Sequence, residues 1–471
     1  MLEKHIFRAY DIRGIYGEDF DEDGADLIGK GYAKYLRKKY PNKEHLTVVV
    51  SRDGRNSGSV LKSNFINALV KSGIDVVDAG ELPSPMLYFA LCTQGFDGGV
   101  SITASHNSAP YNGFKLLSGG AHSICGEELQ IIWEIIQEED FIDLENNGDY
   151  PTDLGTVEKL NISEEYYTLL SDITDFKKTD WKIAIDAGNG IAGAHYPEFF
   201  RRAGFDVTEL YCDVDGNFPN HEADPEREEN MADLKKLVLK NNLDFGLAYD
   251  GDGDRVGVVD RKGNSFSADL LLLLLARDLL QKDENAGGAI VYDLKSTELL
   301  KEEIEEHGGK PVMCKTGHSF VEEEMEIHDA LLGGEVSGHI FMAENYFGFD
   351  DALLASAKLL EIAINLEIKS GETFTEEFAK LPKTFVTPEE KVAVSESKKF
   401  GILDKIVKNL LKKYPNALTM DGIRIEFGES AWGIVRASNT SPYLTTRFEA
   451  RTQEKLDEVK GIIMEEVEKW V

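Results

Sequence analysis

A chain of 471 residues is too long for one ordinary hydrophobic core and implies three or four domains, and its apolar fraction of 42% is that of a globular protein. A formal charge of −34 excludes a surface built for nucleic acid or anionic lipid, both polyanions that such a field repels. No run reaches membrane-spanning length, "MLEKHIFRAYDIRG" lacks a signal-peptide core, and Cys92, Cys125, Cys212 and Cys314 are widely spaced with no CxxC, all of which reads as a cytoplasmic protein with reduced thiols.

In chain order, one pattern recurs three times. "LTVVVSRDGR" (46–55) is followed by a helix-like run to Lys71 and then "SGIDVVDAG". "WKIAIDAGNG" (181–190) leads into a helical run to Arg202 and "AGFDVTELY"; "GAIVYDLKSTELL" (288–300) leads into a charged helix and "HGGKPVMCK". Each is a β-branched run ending in a polar loop, then a helix, then a glycine that introduces a second strand. This is the period of a βαβ unit, and it predicts three similar α/β domains with mixed, mainly parallel sheets. The run "LLLLLARDLL" (271–280), interrupted by Arg277 and Asp278, reads as a buried helix face. After about residue 370, short alternating strands stand between a Lys-rich helix (400–414) and a final amphipathic helix. That predicts a smaller C-terminal α+β domain with an antiparallel sheet. Composition shifts at "ENNGDYPTDLG" (145–155) and "VVDRKGNSFSADLLL" (258–272) set expected domains of 1–152, 153–258, 259–370 and 371–471.

Four loops carry chemistry. A parallel sheet presents ligands beyond the C-terminal ends of its strands, and "GVSIT" ends just before Ser105, with His106 beside it and Lys115 ten residues on. A serine needs a base or a delivered phosphate to react, and no G-x-S-x-G elbow is present, so an ordinary loop serine is the competing reading. In "YDGDGDRVGVV" (249–259), Asp250, Asp252 and Asp254 alternate, and carboxylates so close repel one another without a cation. A hard divalent ion such as Mg²⁺ beside a phosphate fits best, with Gly251 and Gly253 letting the backbone wrap and Arg255 facing phosphate oxygens. In "GGEVSGHI" (333–340), Glu335, Ser337 and His339 alternate, and an extended segment would point all three one way, toward the vicinal hydroxyls of a sugar. "RASNTSP" (436–442) offers Arg436, Ser438, Asn439 and Thr440 as a phosphate cradle. Together the loops read as phosphoryl chemistry on a phosphorylated polyol. The competing class is an NAD-dependent dehydrogenase: "DAGNGIAG" (186–193) is a literal G-x-G-x-x-G through Gly188, Gly190 and Gly193, with Glu209 near the ribose-binding position. That reading leaves the serine and aspartate loops without a role.

In order and spacing, the four loops resemble those of the α-D-phosphohexomutase superfamily, that of phosphoglucomutase and phosphomannomutase, over essentially the whole chain. The resemblance implies a four-domain enzyme arranged around a central cleft. It implies reversible transfer of phosphate between O1 and O6 of a hexose phosphate, through a phosphoserine at Ser105 and a hexose 1,6-bisphosphate that is both intermediate and activator. One Mg²⁺ per subunit would sit on Asp250, Asp252, Asp254 and an oxygen of phosphorylated Ser105. Lys115 of "NGFK" would be the general acid/base, helped by His106, and Arg13 of "YDIRG" the early active-site arginine. His106 and Arg255 would lie against the transferring phosphate. Lys295 of "DLKST", His318 of "KTGHS", Glu335, Ser337 and His339 would contact the substrate, and Arg436, Ser438, Asn439 and Thr440 the other phosphate. The chain departs from the family's usual "TASHNP" by placing Ser108 where the proline stands, which predicts a looser loop. "GEVSGH" resembles the branch acting on mannose and glucose phosphates, which differ only at C2, and both stay open; a phosphoglucosamine mutase is the alternative. The expected partners are hexose monophosphates, with no nucleic acid and no membrane, and a monomer is expected with a dimer as the alternative.

Overall fold

Valines 48, 49 and 50 set the first sheet, because successive strand residues face opposite sides. The chain is described here by a computed structural model covering residues 2–142, 153–178, 180–395, 398–438 and 443–471. Its first strands and helices are β1 (Ile12–Ile15), α1 (Glu22–Lys39), β2 (Thr47–Arg52), α2 (Gly58–Lys71), β3 (Asp75–Glu81), α3 (Ser84–Gln94), β4 (Gly98–Ile102), β5 (Tyr111–Ser118), β6 (His122–Ser123), α4 (Glu127–Gln137) and β7 (Val157–Lys159). The sheet order is β1-β5-β4-β2-β3-β7, with β6 beside β5. Strands β4, β2, β3 and β7 run parallel, and β5 is antiparallel to both its neighbours β1 and β4. Val48, Val50, Val100 and Ile102 join Ile28, Leu36, Phe65 and Ile132 in one buried cluster under α1, α2 and α4. The opposite face meets α3. Side chains at Gly98 and Gly99 would collide with Tyr32 on one side and Leu91 on the other, so the adjacent glycines let helices close on both faces.

The next elements are α5 (Ser163–Ile173), β8 (Lys182–Asp186), α6 (Tyr196–Arg202), β9 (Asp206–Leu210), α7 (Ala232–Asn241), β10 (Phe245–Tyr249) and β11 (Val256–Asp260). Their sheet, β11-β10-β8-β9, is parallel except for β11. Leu234 and Val238 of α7 pack on one face with Ala184, Ala248 and Val259.

Two compact units make up the chain: Met1–Ala268 with Ser337–Thr373, and Asp269–Val336 with Phe374–Val471. The second unit begins in α8 (Ala268–Leu280), where Leu271 to Leu275 are buried as the leucine run predicts. It continues through β12 (Ala289–Asp293), α9 (Glu298–Glu306), β13 (Lys310–Cys314), α10 (His318–His328) and β14 (Leu332–Gly334), with β13, β12 and β14 parallel. The chain then re-enters the first unit with β15 (Ile340–Met342) and α11 (Ala352–Ser370), where Tyr249 of β10 and Ser356 of α11 share a 2.7 Å hydroxyl bond.

The C-terminal elements of the second unit are α12 (Phe374–Phe378), β16 (Phe385–Val386), β17 (Glu390–Ala393), α13 (Lys399–Lys413), β18 (Ile423–Gly428), β19 (Ala431–Ala437), β20 (Tyr443–Ala450) and α14 (Gln453–Glu468). Every pairing recorded in this sheet is antiparallel, as expected. Helices α13 and α14 bury Ile406, Leu410, Ile463 and Val467 against Ile423, Val435 and Phe448. On the other face Trp432 and Ile434 pack with Leu294, which follows β12. Thus three α/β domains and a C-terminal α+β domain follow one another along the chain. Among the described residues no disulfide joins the four cysteines, and no helix is long and apolar enough to cross a membrane. Most of the expected first boundary segment, through residue 152, lies outside the described residues.

Candidate functional site

The loop after β4 is held from beneath by one side chain. Arg55 is 1% exposed, and its guanidinium donates to the carbonyls of Ser105 (2.7 Å), Asn107 (2.5 Å), Ser108 (2.9 Å) and Tyr111 (2.9 Å). Its Nε donates to Asp53 at 3.0 Å, and Asp53 accepts the Thr103 hydroxyl at 2.7 Å. Five fixed donors on a plane suit this gathering of carbonyls. Ser105 takes a left-handed φ of 48°, with its N–H donated to Thr103 Oγ1 at 2.9 Å. Ser108, in the family's proline position, is tied through its carbonyl to Arg55. Sequence reasoning missed Arg55; its signal was a charged "DGR" directly after a strand end on the ligand side of a parallel sheet.

The aspartate loop between β10 and β11 meets the serine loop closely. A Cβ at Gly251 would lie 2.4 Å from the Ser105 carbonyl oxygen, so only glycine fits. Asp250 Oδ1 accepts the N–H groups of Gly253 (3.0 Å), Asp254 (3.0 Å) and Arg255 (3.2 Å), and its Oδ2 accepts the Ser105 hydroxyl at 2.7 Å. Lys115, opposite Ser101 in the β4–β5 register, donates from Nζ to Asp252 Oδ2 at 2.6 Å and to Asp254 Oδ2. All three carboxylates are fully buried.

Burial pulls Lys115 down, but Asp252 and Asp254 outweigh it and hold the ammonium well above the ordinary lysine range. Burial works upward on Asp254, yet Lys115, His339 and Arg255 keep it below the usual carboxylate range. Asp250 is pushed well up by burial, Asp254 and Asp252, which outweigh the lowering by Arg255 and the Ser105 hydroxyl. Three carboxylate oxygens of the trio lie within 4.8 Å of one another, and Asp252 Oδ1 and Asp254 Oδ1 are buried without a hydrogen-bond partner. Such a set fits a hard divalent cation with oxygen ligands. Asp254, His339 and Asp350 bring a second set of potential ligand atoms within the same distance of one another.

Around this core, Ser105 Oγ lies 3.2 Å from His106 Nδ1. Burial, Arg255 and Arg13 push His106 well below the usual histidine range, so its imidazole is neutral. Arg13, opposite Gly113 in the β1–β5 register, donates to Asn107 Oδ1 at 3.0 Å and pairs with Asp11. Arg255 donates from Nε to His339 Nε2 at 2.9 Å, and His339 Nδ1 lies 2.7 Å from Asp350 Oδ2.

The extended reading of "GEVSGH" is corrected. Val336 and Ser337 form a turn, and Gly338 takes φ 102° so that its carbonyl can accept the Val256 N–H at 3.2 Å. The alternation is broken there. Glu335, in the second unit, accepts the Gly317 N–H at 2.5 Å, whereas His339, in the first, joins Arg255 and Asp350; Ser337 is half-buried in the turn.

In the second unit His318 is the buried first residue of α10, directly after Gly317. Lys295 Nζ lies 3.2 Å from Glu389 Oε2 and 3.9 Å from Asp293 Oδ2. Arg436, near the end of β19, donates from Nε to Asp421 Oδ2 at 2.8 Å. Burial would raise Glu389, but Lys295 and Arg436 bring it below the usual range, so this carboxylate, missed in the sequence, serves both cations. The Ser438 carbonyl accepts Lys399 Nζ at 2.7 Å. Asn439 and Thr440 lie outside the described residues.

The dinucleotide fingerprint has another purpose. A Cβ at Gly190 would lie 2.9 Å from Gly251 of the aspartate loop, and one at Gly193 would lie 2.2 Å from the Cys212 carbonyl oxygen. The glycines pack loop against loop, and Glu209 pairs on the surface with Arg201.

Comparison with known proteins agrees along the chain's length. Family profiles described as phosphoglucomutase/phosphomannomutase alpha/beta/alpha domains I, II and III match residues 4–143, 164–263 and 267–385, and the C-terminal domain profile matches 389–466. The chain is 40% identical over 462 residues to a phosphomannomutase/phosphoglucomutase of Pseudomonas aeruginosa, covering 98% of this chain and 95% of that one. It is 40% identical over 462 residues to a phosphoglucomutase of Neisseria meningitidis, covering 98% and 96%. Among solved structures, a phosphoglucomutase/phosphomannomutase family protein of Burkholderia thailandensis superposes with a TM-score of 0.88 at 34% identity, covering 100% of this chain and 98% of the other.

Proposed function

The chain belongs to the α-D-phosphohexomutase superfamily, in its phosphoglucomutase/phosphomannomutase branch, and on that premise we propose that it interconverts hexose 1- and 6-phosphates, with mannose and glucose as the sugars. The observation that carries the reading is the 2.7 Å bond from Ser105 to Asp250, which joins the nucleophile's loop to the carboxylate trio. Phosphorylated Ser105 gives its phosphoryl group to the free hydroxyl of the substrate; the hexose 1,6-bisphosphate reorients and returns its other phosphate to Ser105. Asp250, Asp252 and Asp254 would hold Mg²⁺, which when bound supplies positive charge beside the transferring phosphate.

The attacking hydroxyl must lose a proton and the departing Ser105 Oγ must gain one. Lys115 is held as an ammonium and His106 as a neutral imidazole, so one donor and one acceptor stand ready. Arg13 and Arg255 face the transferring phosphate. Lys295, His318 and Glu335 contact the sugar, and Arg436 with Ser438, Asn439 and Thr440 holds the distal phosphate.

A coupled assay on glucose 1-phosphate, mannose 1-phosphate and glucosamine 1-phosphate, with bisphosphate activator and Mg²⁺, tests the reading. Turnover of the first two, with phosphate mapped to Ser105 by peptide mass, is expected. Preference for the aminosugar would move the chain to the phosphoglucosamine enzymes, and full activity without phosphate at Ser105 would overturn the mechanism.

A further inference from the structure

Strand β12 lies between β13 and β14, and all three run parallel, so the loops that follow them leave the sheet at the same end. Those loops lead to Lys295, His318 and Glu335 in turn. The central strand ends on Asp293, which stands opposite Cys314 at the end of β13, while Tyr292 pairs with Gly334 at the end of β14. Asp293 is fully buried, and the reaction as written does not use it. Its Oδ1 accepts the Ser296 hydroxyl at 2.8 Å and the Val336 N–H at 3.4 Å, and its Oδ2 accepts the Thr316 hydroxyl at 3.1 Å. One carboxylate therefore takes a donor from each of the three loops. Thr316 and Val336 come from 23 and 43 residues along the chain, so no local turn accounts for them.

A close ion pair does not explain the carboxylate. Lys295 Nζ lies 3.9 Å from Asp293 Oδ2, beyond hydrogen-bonding reach, and is nearer to Glu389 at 3.2 Å. A carboxylate buried among hydroxyls is costly, and a well-packed apolar residue would be cheaper for stability alone. What Asp293 supplies is geometry. An ionised carboxylate only accepts, so both hydroxyls and the Val336 N–H must point inward at it. The loops after β13 and β14 are also joined directly, by the Gly317 N–H donated to Glu335 Oε1 at 2.5 Å. We propose that Asp293 is a positioning residue, a single carboxylate at the end of the central strand that fixes three loops in one register, so that Lys295, His318 and Glu335 meet the sugar together. The proposal rests on the reading of those three residues as sugar contacts.

The test combines amide hydrogen exchange of the full chain without substrate and kinetics on hexose 1-phosphates, for Asp293→Ala, Asp293→Asn and Thr316→Val. Asp293→Ala should speed exchange in 315–318 and 335–337 together, leave α8 and α9 protected, and lower kcat/KM by about 10- to 100-fold, the scale of misplaced substrate contacts. Asp293→Asn should keep slow exchange and most of the activity. Its carbonyl can accept from Ser296 and Val336, and its amide can donate to the Thr316 hydroxyl, which also accepts. Thr316→Val removes one link with little change of shape, and should speed exchange in 315–318 and lower kcat/KM about three- to tenfold. An asparagine variant as impaired as the alanine would overturn the proposal, because charge and not the three links would then matter. Unchanged exchange and kcat/KM in Thr316→Val would also overturn it, even if the alanine variant failed to fold. So would faster loop exchange with kcat/KM intact. Absence of wild-type turnover on any hexose phosphate would count against the sugar reading alone, because exchange is read without substrate.

Discussion

The surroundings of Ser105 and those of Arg436 use charge in opposite ways. Around Ser105 single cations serve many acceptors: Arg55 gathers four carbonyls and a carboxylate, and Lys115 serves two aspartates. In the second unit the cations lie against side-chain carboxylates instead, Lys295 with Glu389, Arg436 with Asp421 and Glu389, and Arg424 with Glu298. A centre where charge develops during reaction gains from fixed dipoles that need no rearrangement. Groups proposed to accept and release a dianion would gain from being neutralised in the interim, the more so in a chain of net charge −34.

The sharpest way to break this contrast is Asp252→Ala. Removing that carboxylate should cost about 10²- to 10³-fold in kcat, the scale of losing one preorganised electrostatic group, while far-UV circular dichroism stays unchanged. Chelation should do the same to the wild type, reversed by Mg²⁺; a fully active chelated enzyme would remove the metal from the argument.

A second test lies in a buried carboxylate of the second unit that has neutral donors instead of a cation. Glu449 accepts Thr297 Oγ1 (2.8 Å), Glu298 N–H (3.2 Å) and Trp432 Nε1–H (3.1 Å). Burial nonetheless raises its pKa from 4.5 to about 7. The folded form holds a proton that the unfolded form releases, so the stability this adds is full below about pH 4.5 and is lost as pH rises through 7. The loss is on the order of 3 kcal/mol. Glu449→Gln should flatten the pH dependence of thermal unfolding across that window; an unchanged slope would place the titration elsewhere.

Arg55→Lys tests whether one fork really shapes the serine loop. An ammonium cannot reach four carbonyls at once, and a drop of about tenfold to 100-fold in kcat with little change in KM is expected. Unaltered kcat would show that the loop holds its φ without help.

The smallest effect concerns Arg436. Its removal should raise KM by about tenfold for every phosphosugar tried, whatever the C2 stereochemistry, since one charge-assisted contact is lost. Asp421→Asn should act oppositely, lowering KM about two- to threefold by releasing the guanidinium from its carboxylate. If it raised KM instead, Asp421 would be orienting the arginine rather than neutralising it.

Those features that arise within a few consecutive residues were legible in the chain alone. The valines of β2, the leucine run of α8 and the alternating aspartates each declare a strand, a buried helix face and a carboxylate cluster through local spacing. Four such loops in one order also carried the family. Arg55 and Glu389 were not legible, because their partners lie far along the chain: Arg55 reaches carbonyls 50 to 56 residues on, and Glu389 serves cations at 295 and 436. Local spacing even misled where a backbone angle intervened. Glu335 and His339 stand at alternate positions in a segment that reads as extended, but φ 102° at Gly338 breaks the alternation. Residue types and periodicities are properties of the chain; which buried charge meets which is decided only when distant strands bring them together, since an unpaired one cannot stay inside.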